Sequence, residues 1–252
     1  MRRIIAMTIT ITLIALSAAC EAQPSVETTY PETSVSEETA AASQTYPEPV
    51  INDNQLFEDM QSGGSFCFLG DSITAGTATD GIPWYQPLTG FITGEVTNVS
   101  IPGWTSVHLT EICNDVPAAD YYVIAIGIND VLYIDEPLGA ASVEEFIDNL
   151  QIVNDALTAK SPDARLYYIA PWPFLNFPDE AYETRDEFAG AMRQWCDGQQ
   201  RIFIDPSDII LDVLSEVDTE VYMWNDYHPD APEGVNLYSY AVLQQASCTA
   251  TD

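Results

Sequence analysis

The chain has 252 residues, and its 7 Lys and Arg stand against 39 Asp and Glu, for a formal charge of −32. So acidic a surface repels polyanions, which excludes nucleic acid and an anionic membrane face as direct partners. The residues from 51 to 252 suffice for one domain with a sizeable core.

The start of the chain reads as an export signal and not as fold. Arg2 and Arg3 precede an apolar stretch from Ile4 to Leu16. A spanning helix needs about 20 apolar residues, so this stretch is too short to cross a bilayer. Ser17, Ala18 and Ala19 lead to Cys20, whose position resembles a bacterial lipoprotein cleavage site. Ser17 stands where that site usually carries Leu, Val or Ile, so ordinary cleavage after Ala19 stays open beside lipid attachment at Cys20. Residues 1–19 are thus the signal, and a membrane enters only through such a lipid anchor. Removing them takes away two arginines and no acid, leaving a charge of −34.

Residues 20–50 form a tether. Between 21 and 50, 23 residues are Ser, Thr, Pro, Glu or Ala, and Thr-Tyr-Pro-Glu occurs at 29–32 and 45–48. Too little apolar surface is present to offset chain entropy, so the segment is expected to be disordered, with a reach of about 30 Å.

From residue 51 onward, strands and helices are predicted to alternate. Phe66–Leu69 is a first strand, Pro83–Thr93 a weak helix interrupted by Pro87 and Gly90, and Glu95–Val99 a second strand. A helix follows around Thr105–Cys113. The unbroken apolar run Tyr121–Ile126 suits a strand covered on both faces. Ser142-Val143-Glu144-Glu145 is a capping box before Phe146, Leu150, Val153 and Leu157 at helical spacing. That helix stops by Ser161-Pro162. Arg165–Ala170 is a strand, Asp179–Trp195 a helix, Arg201–Ile204 the last strand and Pro232–Ser247 the closing helix. Such alternation implies a mostly parallel sheet with helices on both faces and ligands beyond the carboxyl ends of its strands.

Four polar signals stand at those ends. Gly70-Asp71-Ser72-Ile73-Thr74 follows the first strand, Asn98-Val99-Ser100-Ile101-Pro102-Gly103 the second and Gly127-Ile128-Asn129-Asp130 the third, while His228-Pro229 precedes the closing helix. In order and spacing they resemble the four signature blocks of the SGNH/GDSL hydrolases, over residues 65 to about 245. The resemblance implies a single three-layer α/β/α domain, flavodoxin-like in its mostly parallel sheet, over residues 51–252. It also implies a serine esterase that needs no cofactor.

A serine hydroxyl is unreactive until a neighbouring base takes its proton. Ser72 is the candidate nucleophile and His228 the candidate base. Gly70-Asp71-Ser72 lacks the second glycine of the Gly-x-Ser-x-Gly elbow, so this is not an ordinary α/β-hydrolase signature. The other histidine, His108, falls on a helix and reads as packing. The resemblance assigns the oxyanion donors to the N–H of Ser72, the N–H of Gly103 and the side chain of Asn129. Asp130 reads as structural. One departure stands out, since the family's aspartate three residues before the histidine is here Asn225. Asn225 holding the ring through its side-chain carbonyl, a reshaped loop bringing Asp226 to it, and an unsupported Ser72–His228 dyad all remain open.

Trp84, Tyr85, Trp172, Phe174 and Phe177 follow strand ends and fit sugar stacking, acyl-chain packing or the core equally. Cys67, Cys113, Cys196 and Cys248 allow three disulfide connectivities, with Cys67 equally suited to a free buried thiol. No Cys/His cluster has metal spacing, so no metal site is expected. The expected substrate is a small acyl ester or an O-acetylated glycan. A lipid or short-chain carboxylesterase, and a catalytically weak glycan-binding surface protein, are the alternatives. Oligomeric state is not legible.

Overall fold

The computed structural model describes residues 54–133, 139–140 and 142–248. The export signal, Cys20 and the tether lie outside the described residues. Five strands make one all-parallel sheet: β1 (Phe66–Gly70), β2 (Val96–Asn98), β3 (Tyr121–Ala125), β4 (Arg165–Ile169) and β5 (Ile202–Ile204). Their order across the sheet is β2-β1-β3-β4-β5. The chain therefore turns outward in opposite directions from β1 and β3, and the crevice between those two strand ends is where such sheets bind ligands. The predicted α/β/α layering and parallel sheet are what the structure shows.

The helices are α1 (Gln55–Gln61), α2 (Ser72–Ala75), α3 (Ser106–Ile112), α4 (Ile128–Leu132), α5 (Val143–Lys160), α6 (Asp179–Gln199), α7 (Ser207–Glu216), α8 (Thr219–Tyr222) and α9 (Glu233–Cys248). Helix α5 begins where the capping box predicts, with the Ser142 side chain accepting the Glu145 N–H. Its buried stripe of Phe146, Leu150, Val153 and Leu157 follows the helical period and faces α3 and α6. Phe146 meets Phe188 of α6 with ring centroids 4.9 Å apart. Helices α1, α7 and α8 pack with α9.

Several expectations are corrected. The predicted helix Pro83–Thr93 shrinks to a 3-10 turn at Gln86–Gly90, because Pro87 cannot donate to an α-helical ladder. Helix α6 runs to Gln199, past Trp195. Cys67, Cys113 and Cys196 are free and buried, so none of the three is paired in a disulfide. Burial pushes the Cys67 thiol up to about 12, which leaves it an inert apolar side chain.

The aromatic loops also resolve. Trp84, Tyr85, Trp172 and Phe174 are core residues. Tyr85 stacks on Phe68 of β1 at 3.6 Å, and Trp172 packs between Trp84 and Tyr238 of α9, at 5.4 and 5.0 Å. They are thus unavailable for sugar stacking or acyl-chain contact. Trp172→Ala should therefore lower stability by about 3–5 kcal/mol, the usual cost of deleting a buried large aromatic, as read from denaturant unfolding.

Candidate active site

Gly70 ends β1 because nothing larger fits there. A Cβ would stand 2.5 Å from the Ala125 carbonyl of β3 and 2.5 Å from the Thr74 hydroxyl. Asp71 then caps α2, its side chain accepting the Ile73 N–H. Ser72 is the first residue of that short helix, where a backbone N–H has no helical acceptor. Burial pushes the Asp71 carboxyl up to about 7, and the nearby Asp130 adds to the effect.

Beyond β2, Asn98 donates to the Thr74 carbonyl at 2.9 Å and accepts the Ser100 N–H, which ties the second strand end to α2. The turn that follows carries Gly103 at φ 79, a left-handed conformation that favours glycine. Asn129 lies on α4 directly after β3, and its Nδ2 donates to the Trp104 carbonyl at 2.8 Å. One amide hydrogen thus clamps the Gly103 turn, and the other remains. Asp130 accepts the Ser106 N–H and, at 2.6 Å, its hydroxyl, so it fastens α4 to the start of α3. Asp130 is structural. So is His108, whose Nδ1 accepts the Thr105 N–H at 3.2 Å to complete the α3 cap.

His228 arrives from the far end of the chain. Met223 and Pro229 form an antiparallel bridge, and the Trp224 N–H donates to the His228 carbonyl at 2.9 Å. This lacing presents the imidazole to the serine, with Nε2 2.7 Å from Ser72 Oγ. Burial alone lowers the pKa of His228 below its ordinary 6.5, so the ring is neutral at neutral pH and able to accept a proton.

Asn225 stands on the other side of the ring. Its Oδ1 accepts the N–H groups of Tyr227 and His228, at 3.0 and 2.8 Å, which fixes how the amide is turned. From Nδ1, the Nδ2 and Oδ1 atoms are 3.0 and 3.2 Å away. Asp226 points elsewhere, its Oδ1 accepting from Asn176 Nδ2 at 2.8 Å. The structure therefore brings Ser72, His228, Asn225, Gly103 and Asn129 to one edge of the sheet and leaves Asp226 outside. Sequence reasoning missed the exposed Trp224, whose ring centroid is 5.9 Å from that of His228. Among the described residues, no group of three or more His, Cys, Asp or Glu is arranged to hold a metal ion. No described helix is long and apolar enough to cross a membrane.

Comparison with known proteins follows the same geometry. An acetylxylan esterase from Geobacillus stearothermophilus superposes with a TM-score of 0.63 at 19% identity, over 75% of this chain and 96% of that one. A GDSL-like lipase from Parabacteroides merdae gives 0.63 at 19%, over 75% and 97%. No curated protein sequence matches the chain. The model of the GDSL-like lipase/acylhydrolase family matches residues 68–232, from β1 to the start of α9 and across all four motifs. The chain belongs to the GDSL-like lipase/acylhydrolase family and is a carboxylic ester hydrolase.

Proposed function

We propose that the chain removes small acyl groups from esters through a covalent acyl-serine intermediate, and that O-acetyl groups on polysaccharide are its substrate class. The observation that carries this reading is the 2.7 Å contact between Ser72 Oγ and His228 Nε2, across 156 residues of sequence. Ser72 Oγ attacks the ester carbonyl while its proton passes to Nε2. The oxyanion that forms is met by the N–H of Ser72, the N–H of Gly103 and the remaining amide hydrogen of Asn129. Collapse of the tetrahedral adduct breaks the bond to the alcohol, which leaves with the proton from His228. Water then repeats the sequence to release the acid.

Asn225 makes this centre slow. If Nδ1–H is donated to Oδ1, Nε2 is free to take the serine's proton. If Nδ2 donates to Nδ1, Nε2 carries a hydrogen itself and the pair is idle. In neither arrangement does a carboxylate stabilise the imidazolium. Catalytic variants of the Geobacillus acetylxylan esterase replace its serine, its histidine and an aspartate three residues before that histidine. Asn225 has that spacing from His228. The substitution favours a second reading, a catalytically weak glycan-binding surface protein.

Acetate fits the first reading because the aromatic side chains behind the serine are packed into the core. We further propose that the protein is exported, with Arg2, Arg3 and the Ile4–Leu16 run as the signal and Cys20 as the lipid-bearing residue. Cys20→Ser should then move it from the detergent to the aqueous phase on partitioning.

A fluorophosphonate probe tests the centre. The expected result is a single adduct, mapped by mass spectrometry to Ser72. An adduct on another serine overturns the assignment, and no adduct together with no acetate release favours the glycan-binding reading. Asn129→Ala should lower kcat by about 10²–10³-fold with a smaller change in KM, since the donor acts on charge that develops in the transition state. A change confined to KM would make Asn129 a ground-state contact.

A further inference from the structure

The bridge between Met223 and Pro229 sets a register in which Trp224 lies opposite His228. Side chains directly opposite in an antiparallel pair project from the same face. The indole is therefore delivered to the side of the loop that the imidazole occupies, and the two rings meet at 64° with centroids 5.9 Å apart. Trp224 is 61% exposed, more than any other large hydrophobic side chain described. Its position contrasts with Trp84 and Trp172, at 1% and 0%, which the core consumes.

The direction of proton flow says which half of an ester reaches that indole. His228 must give its proton to the departing alcohol oxygen, whereas the carbonyl oxygen turns toward Gly103 and Asn129. The alcohol half thus lies on the imidazole's side of Ser72, and Trp224 borders it. Tyr227 flanks the same imidazole, with ring centroids 4.4 Å apart. A solvent-facing indole beside the imidazole suits a molecule with one C–H face and several hydroxyls. An anionic alcohol would need a cation. Each Lys and Arg among the described residues already has a partner: Arg165 on Asp59, Arg185 on Asp205, Arg201 on Asn154, Lys160 on backbone carbonyls and Arg193 on the Phe203 ring.

We propose that Trp224 is the specificity-determining residue for the alcohol half of the substrate, on which a neutral sugar ring stacks beside His228. The inference rests on the reading of Ser72 and His228 as the ester-cleaving pair.

Two acetyl esters that differ only in the alcohol test it, acetylated methyl xyloside and ethyl acetate, with acetate release by the full chain as the readout. Trp224→Ala should raise KM for the sugar ester about tenfold and leave kcat/KM for ethyl acetate within about twofold, with Trp224→Phe recovering part of the loss. Equal losses on both esters would reduce Trp224 to a prop for His228. No loss on either would show that the indole touches no substrate. Binding is also read without turnover, in Ser72→Ala protein titrated with an acetylated xylooligosaccharide. A saturable change in tryptophan fluorescence that disappears when Trp224→Phe is added supports the platform. A change that survives Trp224→Phe overturns it. Failure of the wild type to cleave either ester would count against the catalytic reading alone, because the titration still decides the platform.

Discussion

Replacing Ser72 with alanine is expected to lower kcat for an acetyl ester by at least about 10²-fold while leaving the fold intact. Loss of the nucleophile costs about 10⁶-fold in a complete serine triad. Asparagine in place of the triad's acid already costs up to about 10⁴-fold. The remaining advantage that Ser72 can forfeit is therefore smaller than in a full triad. The same substitution made on top of Asn225→Asp should show a larger drop, approaching 10⁶-fold. Stability should barely move, because the lost bond to His228 is worth about 0.5–1.5 kcal/mol, or a few degrees in Tm for a domain of this size. A variant that keeps half the wild-type rate would remove Ser72 from the mechanism.

Asn225→Asp is expected to raise kcat by between about 10-fold and 10⁴-fold, the upper bound being the cost of the reverse change in a full triad. A carboxylate accepts from Nδ1–H and cannot donate to Nδ1, so it abolishes the idle tautomer. It also stabilises the imidazolium, which shifts the pH profile. Burial now holds His228 below 6.5, and the base must be neutral to work. The rate therefore falls as pH drops through a point below 6.5. A neighbouring carboxylate raises the pKa of an imidazole, so the acid limb of Asn225→Asp should move to higher pH. At mildly acidic pH the variant should keep a smaller share of its own plateau than the wild type does. Asp226→Ala should change the rate by no more than about twofold, since Asp226 is turned toward Asn176. Losses of orders of magnitude there would mean that Asp226 supports the ring in solution.

The sheet and the motif ends were legible because both follow from local pattern. The unbroken apolar run Tyr121–Ile126 suited a doubly covered strand, and Ser142 with Glu145 announced α5. The small helices α2 and α4 were not legible. A stretch of four or five residues cannot nucleate alone, and here Asp71 capping α2 and Asp130 anchoring α4 supply the missing stability. Helix α7 was within reach, since Ile210 and Leu214 are four apart and both buried. Trp84 and Trp172 show the opposite limit. An aromatic residue after a strand reads the same whether it faces substrate or core, and only packing against Tyr85 and Tyr238 decides. For the site, spacing named Ser72, Gly103, Asn129 and His228. The choice between Asn225 and Asp226 depended on which side chain the loop turns inward, and Trp224 became visible only once its register with His228 was known.

The polar clamps at the strand ends divide the site mechanically. Asn98 to Thr74, Asn129 to Trp104 and Asp130 to Ser106 bind the first three strand ends into one block. The loop bearing His228 is fastened instead to Leu175, Asn176 and Tyr222, and it reaches the block's serine through one side-chain bond. Local unfolding of residues 223–230 can therefore carry the base away while the oxyanion donors stay assembled. Amide hydrogen exchange should see two units of unequal lifetime, with the faster one setting how often the centre is complete.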